Sequence, residues 1–205
     1  LNDLLFGAPL SGTIDTGAAF LLYGDPSMYT GTLIASLNMN SVTFGNDDDQ
    51  LGDKMGAAGD INGDGYGDFY ISSTTYGTDQ GYVRFYLGSD VALESDIDPL
   101  STIYGQSNYD HFGSDLLVLG DINQDGMADV LVGAEGGTSL GSAYVFYGGS
   151  MSVDIDMSAG DSASELLTGD DSVIGQNSNF GSQFTLDDFN GDGSLDIAAG
   201  VGLQD

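Results

Sequence analysis

A chain of 205 residues, 40% of them apolar, is long enough for one domain or a piece of one and can build a packed core. It carries 32 acidic residues against two basic ones, Lys54 and Arg84, for a formal net charge of −30. That balance excludes nucleic acid and anionic membrane surfaces as electrostatic partners, since both attract clustered Lys and Arg. No Cys is present, which excludes disulfides, thiolate metal sites and cysteine nucleophiles.

Only Glu94, Glu135 and Glu165 are glutamates, so 32 − 3 = 29 of the acids are Asp. Asp competes with the helical backbone where Glu tolerates it, and this bias argues against helices. With 33 Gly, three Pro and 10 + 11 = 21 Phe plus Tyr, the composition predicts an all-β chain of short strands joined by glycine turns. The start, Leu1-Asn2-Asp3-Leu4, lacks the layout of a signal peptide, so a secreted form would be mature or truncated. No apolar run reaches the ~20 residues that cross a bilayer, and membrane insertion is not expected.

In chain order, the first elements are two strands, at residues 3–9 and 17–24. From there the chain repeats. Three acidic segments align: Asp60-Ile61-Asn62-Gly63-Asp64-Gly65-Tyr66-Gly67-Asp68, Asp121-Ile122-Asn123-Gln124-Asp125-Gly126-Met127-Ala128-Asp129 and Asp188-Phe189-Asn190-Gly191-Asp192-Gly193-Ser194-Leu195-Asp196. Their spacings are 121 − 60 = 61 and 188 − 121 = 67 residues, and the flanks repeat in phase. Leu51-Gly52, Phe112-Gly113 and Phe180-Gly181 precede the loops. Strands ending in small residues follow them, at 69–73, 130–134 and 197–200. A further strand opens on Gly and alternates aromatics, at 81–88 and 141–148. Asp3 is then the phase equivalent of Asp68, Asp129 and Asp196.

Each unit therefore reads as four strands, A to D, with the acidic loop between A and B. The expected organisation is a partial unit (strands B–D) over 1–50, a unit with the first loop over 51–110, a unit with the second over 111–179, and strands A–B with the third over 180–205. Alternation in strand C puts Tyr82, Arg84 and Tyr86 on one face and Val83, Phe85 and Leu87 on the other, as expected of a sheet packed between two neighbours. Strand D is expected within Gly-, Ser- and Asp-rich stretches such as 46–50 and 152–160.

Oxygen donors recur at loop positions 1, 3, 5 and 9, with a backbone carbonyl at 7. The three sets are Asp60, Asn62, Asp64, Tyr66 (carbonyl) and Asp68; Asp121, Asn123, Asp125, Met127 (carbonyl) and Asp129; and Asp188, Asn190, Asp192, Ser194 (carbonyl) and Asp196. A glycine at position 6 allows a sharp turn around an ion. This is the spacing of the first half of an EF-hand calcium loop, without the helix that would follow it. Calcium suits a mixed shell of carboxylate, amide and carbonyl oxygens better than magnesium does, and zinc would want His or Cys, of which only His111 exists. About three calcium ions are expected. Metal-free, the carboxylates repel, so the loop recruits a cation or stays splayed.

Phe-Gly, then Asp-x-Asn-x-Asp-Gly-x-x-Asp, then Gly-Ala-Pro resembles the FG-GAP repeat of the integrin α-subunit β-propeller and its bacterial cell-surface relatives. The resemblance covers almost the whole chain, with the signature divided among copies. Phe6-Gly7-Ala8-Pro9 keeps the Gly-Ala-Pro; Phe112-Gly113 pairs with Gly133-Ala134-Glu135, and Phe180-Gly181 with Ala199-Gly200. The unit with Leu51-Gly52 and Ser72-Ser73-Thr74 departs most. The resemblance implies a propeller-type array of four-stranded antiparallel blades, about three in this chain, with calcium in the A–B loops.

It also implies an extracellular or cell-surface protein in adhesion, binding a protein or glycan ligand. A second reading is a structural repeat of a surface layer or filament; a third, a hydrolase or lyase on a propeller scaffold, finds little support in the residues, and no enzyme activity is expected. His111 is expected in a loop or in packing. Tyr76, Tyr104 and Tyr109 are candidates for stacking on sugar, against the alternative of packing between blades. The chain runs from one strand B to another, 196 − 3 = 193 residues or three repeats, and a head-to-tail assembly of copies is an expectation from that phase.

Overall fold

In a computed structural model of the chain, residues 3–10, 16–22, 40–44, 48–90, 97–136, 140–169 and 178–202 are described. Among these residues four sheets follow one another along the chain. The first joins β1 (Leu4–Gly7), β2 (Ala18–Leu22) and β3 (Asn40–Phe44) in antiparallel order. The second holds β4 (Lys54–Gly59), β5 (Asp68–Ser73), β6 (Tyr82–Tyr86) and β7 (Ser101–Tyr104), each antiparallel to the next. In the third, β8 (Phe112–Gly120), β9 (Asp129–Ala134) and β10 (Ser142–Phe146) pair in the same way. That sheet's fourth strand is β12 (Glu165–Thr168), whereas β11 (Ile155–Asp156) leaves for the neighbouring sheet. The last sheet is the hairpin β13 (Gln183–Asp187) and β14 (Asp196–Gly200). These are strands BCD, ABCD, ABCD and AB of an all-β, propeller-type array.

Cores lie between the sheets, because each blade is apolar on both faces. Val83 and Phe85 of β6 enter a cluster with Phe112, Val130, Val132 and Phe146 of the third sheet. Tyr82 and Tyr86, on the opposite face, pack with Ala19, Leu21 and Leu51 toward the first sheet. Arg84 shares that face, its guanidinium 4.7 Å from the Tyr82 ring centre. Period-two alternation thus puts β6 between two neighbours, as the sequence pattern predicts. A third cluster, with Leu131 and Val145, receives Phe180 together with Phe184 and Leu186 of the last hairpin.

Strand D departs from expectation. Residues 152–160 do not supply it: the chain there makes two short 3₁₀ turns around β11, and β11 pairs in parallel with β7 at the outer edge of the second blade. Met151, Ile155 and Met157 go into the core between the second and third blades. In the 46–50 stretch, Asn46 and Asp47 lie outside the described residues, as do Tyr23 and Gly24 of the early strand; Asp48 and Gln50 adopt positive φ (63° and 53°) in a turn.

Candidate metal centres

All fifteen residues singled out as donors are described, and they fall on the three A–B connections. The hairpins close at Gly59 opposite Asp68, Gly120 opposite Asp129 and Asp187 opposite Asp196, so position 9 is the first residue of strand B each time. Position 6 carries φ of 90°, 90° and 87° at Gly65, Gly126 and Gly193, a left-handed bend that a side chain would strain.

Within the connections one hydrogen-bond pattern occurs three times. The position 1 carboxylate accepts from the position 5 amide (Asp64 to Asp60, 3.1 Å; Asp125 to Asp121, 3.0 Å; Asp192 to Asp188, 3.1 Å) and from the position 6 glycine (2.8, 2.9 and 2.9 Å). The position 3 amide oxygen accepts from the position 5 N–H at 3.1, 2.9 and 2.8 Å. The position 5 carboxylate accepts from the position 7 N–H at 2.9, 2.9 and 2.8 Å. Position 9 accepts from position 2: Ile61 to Asp68 at 2.9 Å, Ile122 to Asp129 at 2.8 Å and Phe189 to Asp196 at 3.1 Å. Backbone N–H groups thus turn the side-chain oxygens inward and hold them there.

Electrostatics follow from that cage. The Gly193, Gly191 and Asp192 amides hold the Asp188 carboxyl below the ordinary carboxylate value, and the Ser194 amide does so for Asp192. Burial pushes Asp68 up instead, against the pull of the Gly88 and Ile61 amides. Asp68 and Asp129 are buried, and their second oxygens accept from Gly88 (2.8 Å) and Gly148 (3.0 Å) at the end of strand C in the same blade. These two glycine amides were not legible as part of the site, since a backbone N–H leaves no residue signature.

Fit to a hard cation is tested by the donors. Among the described residues no three His, Cys, Asp or Glu side chains gather into a metal-holding group on their own. What each nine-residue connection carries is mixed: exposed or half-buried carboxylates at positions 1 and 5, an amide at position 3 and a peptide carbonyl at position 7, beside the braced position 9 acid. Asn62 and Asn123 donate Nδ2 to Asp64 and Asp125 at 2.8 and 2.9 Å, partly neutralising the position 5 carboxylates. In the third connection Asn190 Nδ2 reaches Asp196 at 3.5 Å. All donors are hard oxygens, the set that suits calcium and not zinc.

The other candidates lie elsewhere. Tyr76 and Tyr104 pack on Tyr82, with ring centres 5.0 and 6.0 Å away, so two of the three tyrosines belong to the seam between blades; Tyr109 is exposed. His111, at φ 51°, has Nδ1 3.7 Å from Glu135 Oε1 and ties the turn before strand A to the turn after strand B.

The FG-GAP repeat family model matches residues 56–86 and 112–146, which are strands A to C of the two complete blades with their acidic connections. The chain carries FG-GAP repeats. It is 34% identical to mouse integrin alpha-8 over 153 residues, covering 66% of this chain, and 30% identical to chicken integrin alpha-8 over 165 residues, covering 71%. It is also 32% identical over 124 residues, 54% of the chain, to a phosphatidylinositol-glycan-specific phospholipase D of Dictyostelium discoideum. The chain spans 13–14% of the length of these relatives. Leu51-Gly52, Phe112-Gly113 and Phe180-Gly181, of which Phe112-Gly113 lies within the matched residues, occupy equivalent places in the array. Each pair sits on the preceding blade, with Leu51 N–H bonded to Thr16 O, Phe112 N–H to Gln80 O and Phe180 N–H to Leu140 O.

Proposed function

We propose that this chain is part of an extracellular, ligand-binding FG-GAP propeller in which calcium is structural. The observation that carries the reading is the threefold recurrence of one oxygen cage on consecutive blades, built from the same residue types at the same positions. Asp60, Asn62, Asp64, the Tyr66 carbonyl and Asp68 would hold one ion. Asp121, Asn123, Asp125, the Met127 carbonyl and Asp129 would hold a second, and Asp188, Asn190, Asp192, the Ser194 carbonyl and Asp196 a third. Bound there, calcium supplies charge neutralisation: it offsets the mutual repulsion of the carboxylates and stiffens the A–B hairpin.

The residues do the rest. In every copy position 1 gathers the connection through the position 5 and position 6 amides and the position 6 glycine turns it; in the two complete blades position 9 also ties it to strand C. An extracellular setting suits a site of this kind, as weak calcium loops stay empty at cytosolic calcium levels. The formal charge of −30 fits a calcium-rich medium, where bound cations reduce self-repulsion. Among the described residues no helix is long and apolar enough to cross a membrane.

Similarity to the two integrin alpha chains supports a protein ligand over a substrate. A ligand would meet the turns opposite the acidic connections, where Tyr109 is exposed beside the His111–Glu135 pair. Catalysis is not part of the reading.

Calorimetry tests the metal. Titration with calcium should fill three sites, and chelation should lower the melting temperature by several degrees, since an ion bound only to the folded state stabilises it by mass action. Identical transitions with and without chelator would overturn the metal reading. A calcium-dependent binding screen against matrix proteins and glycans tests the ligand, and its failure across both classes would leave the structural array as the better reading.

A further inference from the structure

The first two connections touch. The Ala128 N–H of the second donates to the Asp60 carbonyl of the first at 2.7 Å, across the seam between blades. The contact is tight: a Cβ built on Gly59 would stand 2.6 Å from the Ala128 Cβ, and one built on Gly63 would stand 3.3 Å from Met127 Cγ.

The peptide unit that makes this bond is the one that carries the position 7 carbonyl. Met127 C=O and Ala128 N–H share one planar trans amide, so fixing the direction of one fixes the other. The acceptor continues the line. Asp60 C=O and Ile61 N–H share the next amide, and Ile61 N–H donates to Asp68 Oδ2 at 2.9 Å. Two peptide planes and two hydrogen bonds therefore run from the position 7 ligand of the second connection to the position 9 acid of the first.

We infer that the first two metal sites are coupled through this relay, so that filling the second tightens the first. The inference rests on the metal reading above and adds its regulation. When the Met127 carbonyl serves as a ligand its amide is polarised and immobilised, and Ala128 N–H becomes a better and better-aimed donor. The Asp60 amide is polarised in turn, and Ile61 N–H holds Asp68 in place before the first site fills. Ordering that the second site has already imposed is ordering the first need not supply, which is positive cooperativity. Linkage makes the effect reciprocal.

Terbium(III) reads the first site selectively, because Tyr66 at position 7 can sensitise its emission; the signal belonging to that site is the part lost in Tyr66→Phe. Asp125→Asn, a near-isosteric change in an exposed connection, disables the second site. The midpoint for Tyr66-sensitised emission should rise at least about five-fold, the low end of typical allosteric coupling. Asp192→Asn in the third connection should leave that midpoint where it is. The reciprocal arm uses calcium calorimetry in an Asp192→Asn background, where adding Asp64→Asn should weaken the second site in turn. Emission with a midpoint that Asp125→Asn leaves unmoved would overturn the coupling and spare the metal reading. No sensitised emission and no calcium heat from the unsubstituted chain would overturn both.

Discussion

Ser72 Oγ donates to the Gly113 carbonyl at 3.0 Å across the seam between the second and third blades. Ser72 stands where the first and third blades have glycine, at Gly7 and Gly133, four residues after Asp3, Asp68 and Asp129 in each case. A Cβ built on Gly7 would overlap the Gly52 carbonyl, and one built on Gly133 would overlap the Gly181 carbonyl. The glycine of the Gly-Ala-Pro signature thus lets strand B of one blade lie against the Phe-Gly pair of the next. Where the second blade gives up that glycine, a serine hydroxyl bonds the carbonyl instead.

Gly133→Ala should therefore destabilise the chain by about 1–3 kcal/mol, the usual cost of overpacking a close seam. Ser72→Ala should cost about 1 kcal/mol, because it leaves the Gly113 carbonyl without this partner while keeping the packing. Urea midpoints in saturating calcium measure both. A Gly133→Ala variant as stable as the parent would show that the seam opens freely.

Substitution at position 5 should remove one ion at a time. Asp64→Ala, Asp125→Ala and Asp192→Ala each delete the carboxylate that accepts from position 7, and each should reduce the calorimetric calcium count from about three to about two. Asp110→Ala, outside the connections, should leave the count unchanged. Equal losses for Asp110→Ala and Asp125→Ala would contradict the ligand assignment.

Strands A, B and C could be read from the sequence because the acidic connections punctuate them and β6 alternates between two buried faces. Strand D could not. β12 is exposed along its length, so burial writes no period into Glu165-Leu166-Leu167-Thr168. β11 is two residues long, and its partner β7 belongs to another blade; a contact over that separation leaves no local pattern. For the site, the side-chain donors were legible and the backbone was not. Ala128 N–H, Gly88 N–H and Gly148 N–H occur in any sequence, and only the fold shows what they hold. Nor did the sequence mark Asp110 as buried, since it stands between exposed Tyr109 and half-buried His111.

The excursion that carries β11 should act as a clasp between blades. Asp154 Oδ1 accepts from Thr102 N–H at 2.7 Å, and Ile155 inserts beside Met151 and Met157 in the core between the second and third blades. Ile155→Ala should cost about 2–4 kcal/mol, in the range of large-to-small changes in a packed core. Asp154→Ala should cost about 1 kcal/mol through the unpaired Thr102 amide. An Ile155→Ala cost under about 0.5 kcal/mol, the scale of a surface change, would mean that the excursion merely lies on the blades.

Asp110 supplies a pH dependence. It is 1% exposed, its Oδ2 accepts from Ser107 N–H at 2.6 Å, and its buried Oδ1 has no hydrogen-bond partner among the described residues. Burial pushes its carboxyl above the ordinary value, while the Ser107 and Gln106 amides and neighbouring His111 pull it partly back. The Tyr144 hydroxyl feels the same charge, which helps raise its own pKa behind the larger effect of burial. A raised folded value means that, between the unfolded and folded pKa, the folded chain holds a proton that the unfolded chain has released. Stability then falls as pH rises through that interval, with the penalty absent below the unfolded value near pH ~3.9 and complete above the folded one. Asp110→Asn cannot ionise and removes the penalty. Relative to the parent it should gain melting temperature at about pH 7, and the gain should shrink as the pH approaches about 4. Both proteins are compared in chelator, so that the acidic connections titrate alike in each. A difference between them that stays constant across this range would show that Asp110 carries no such penalty.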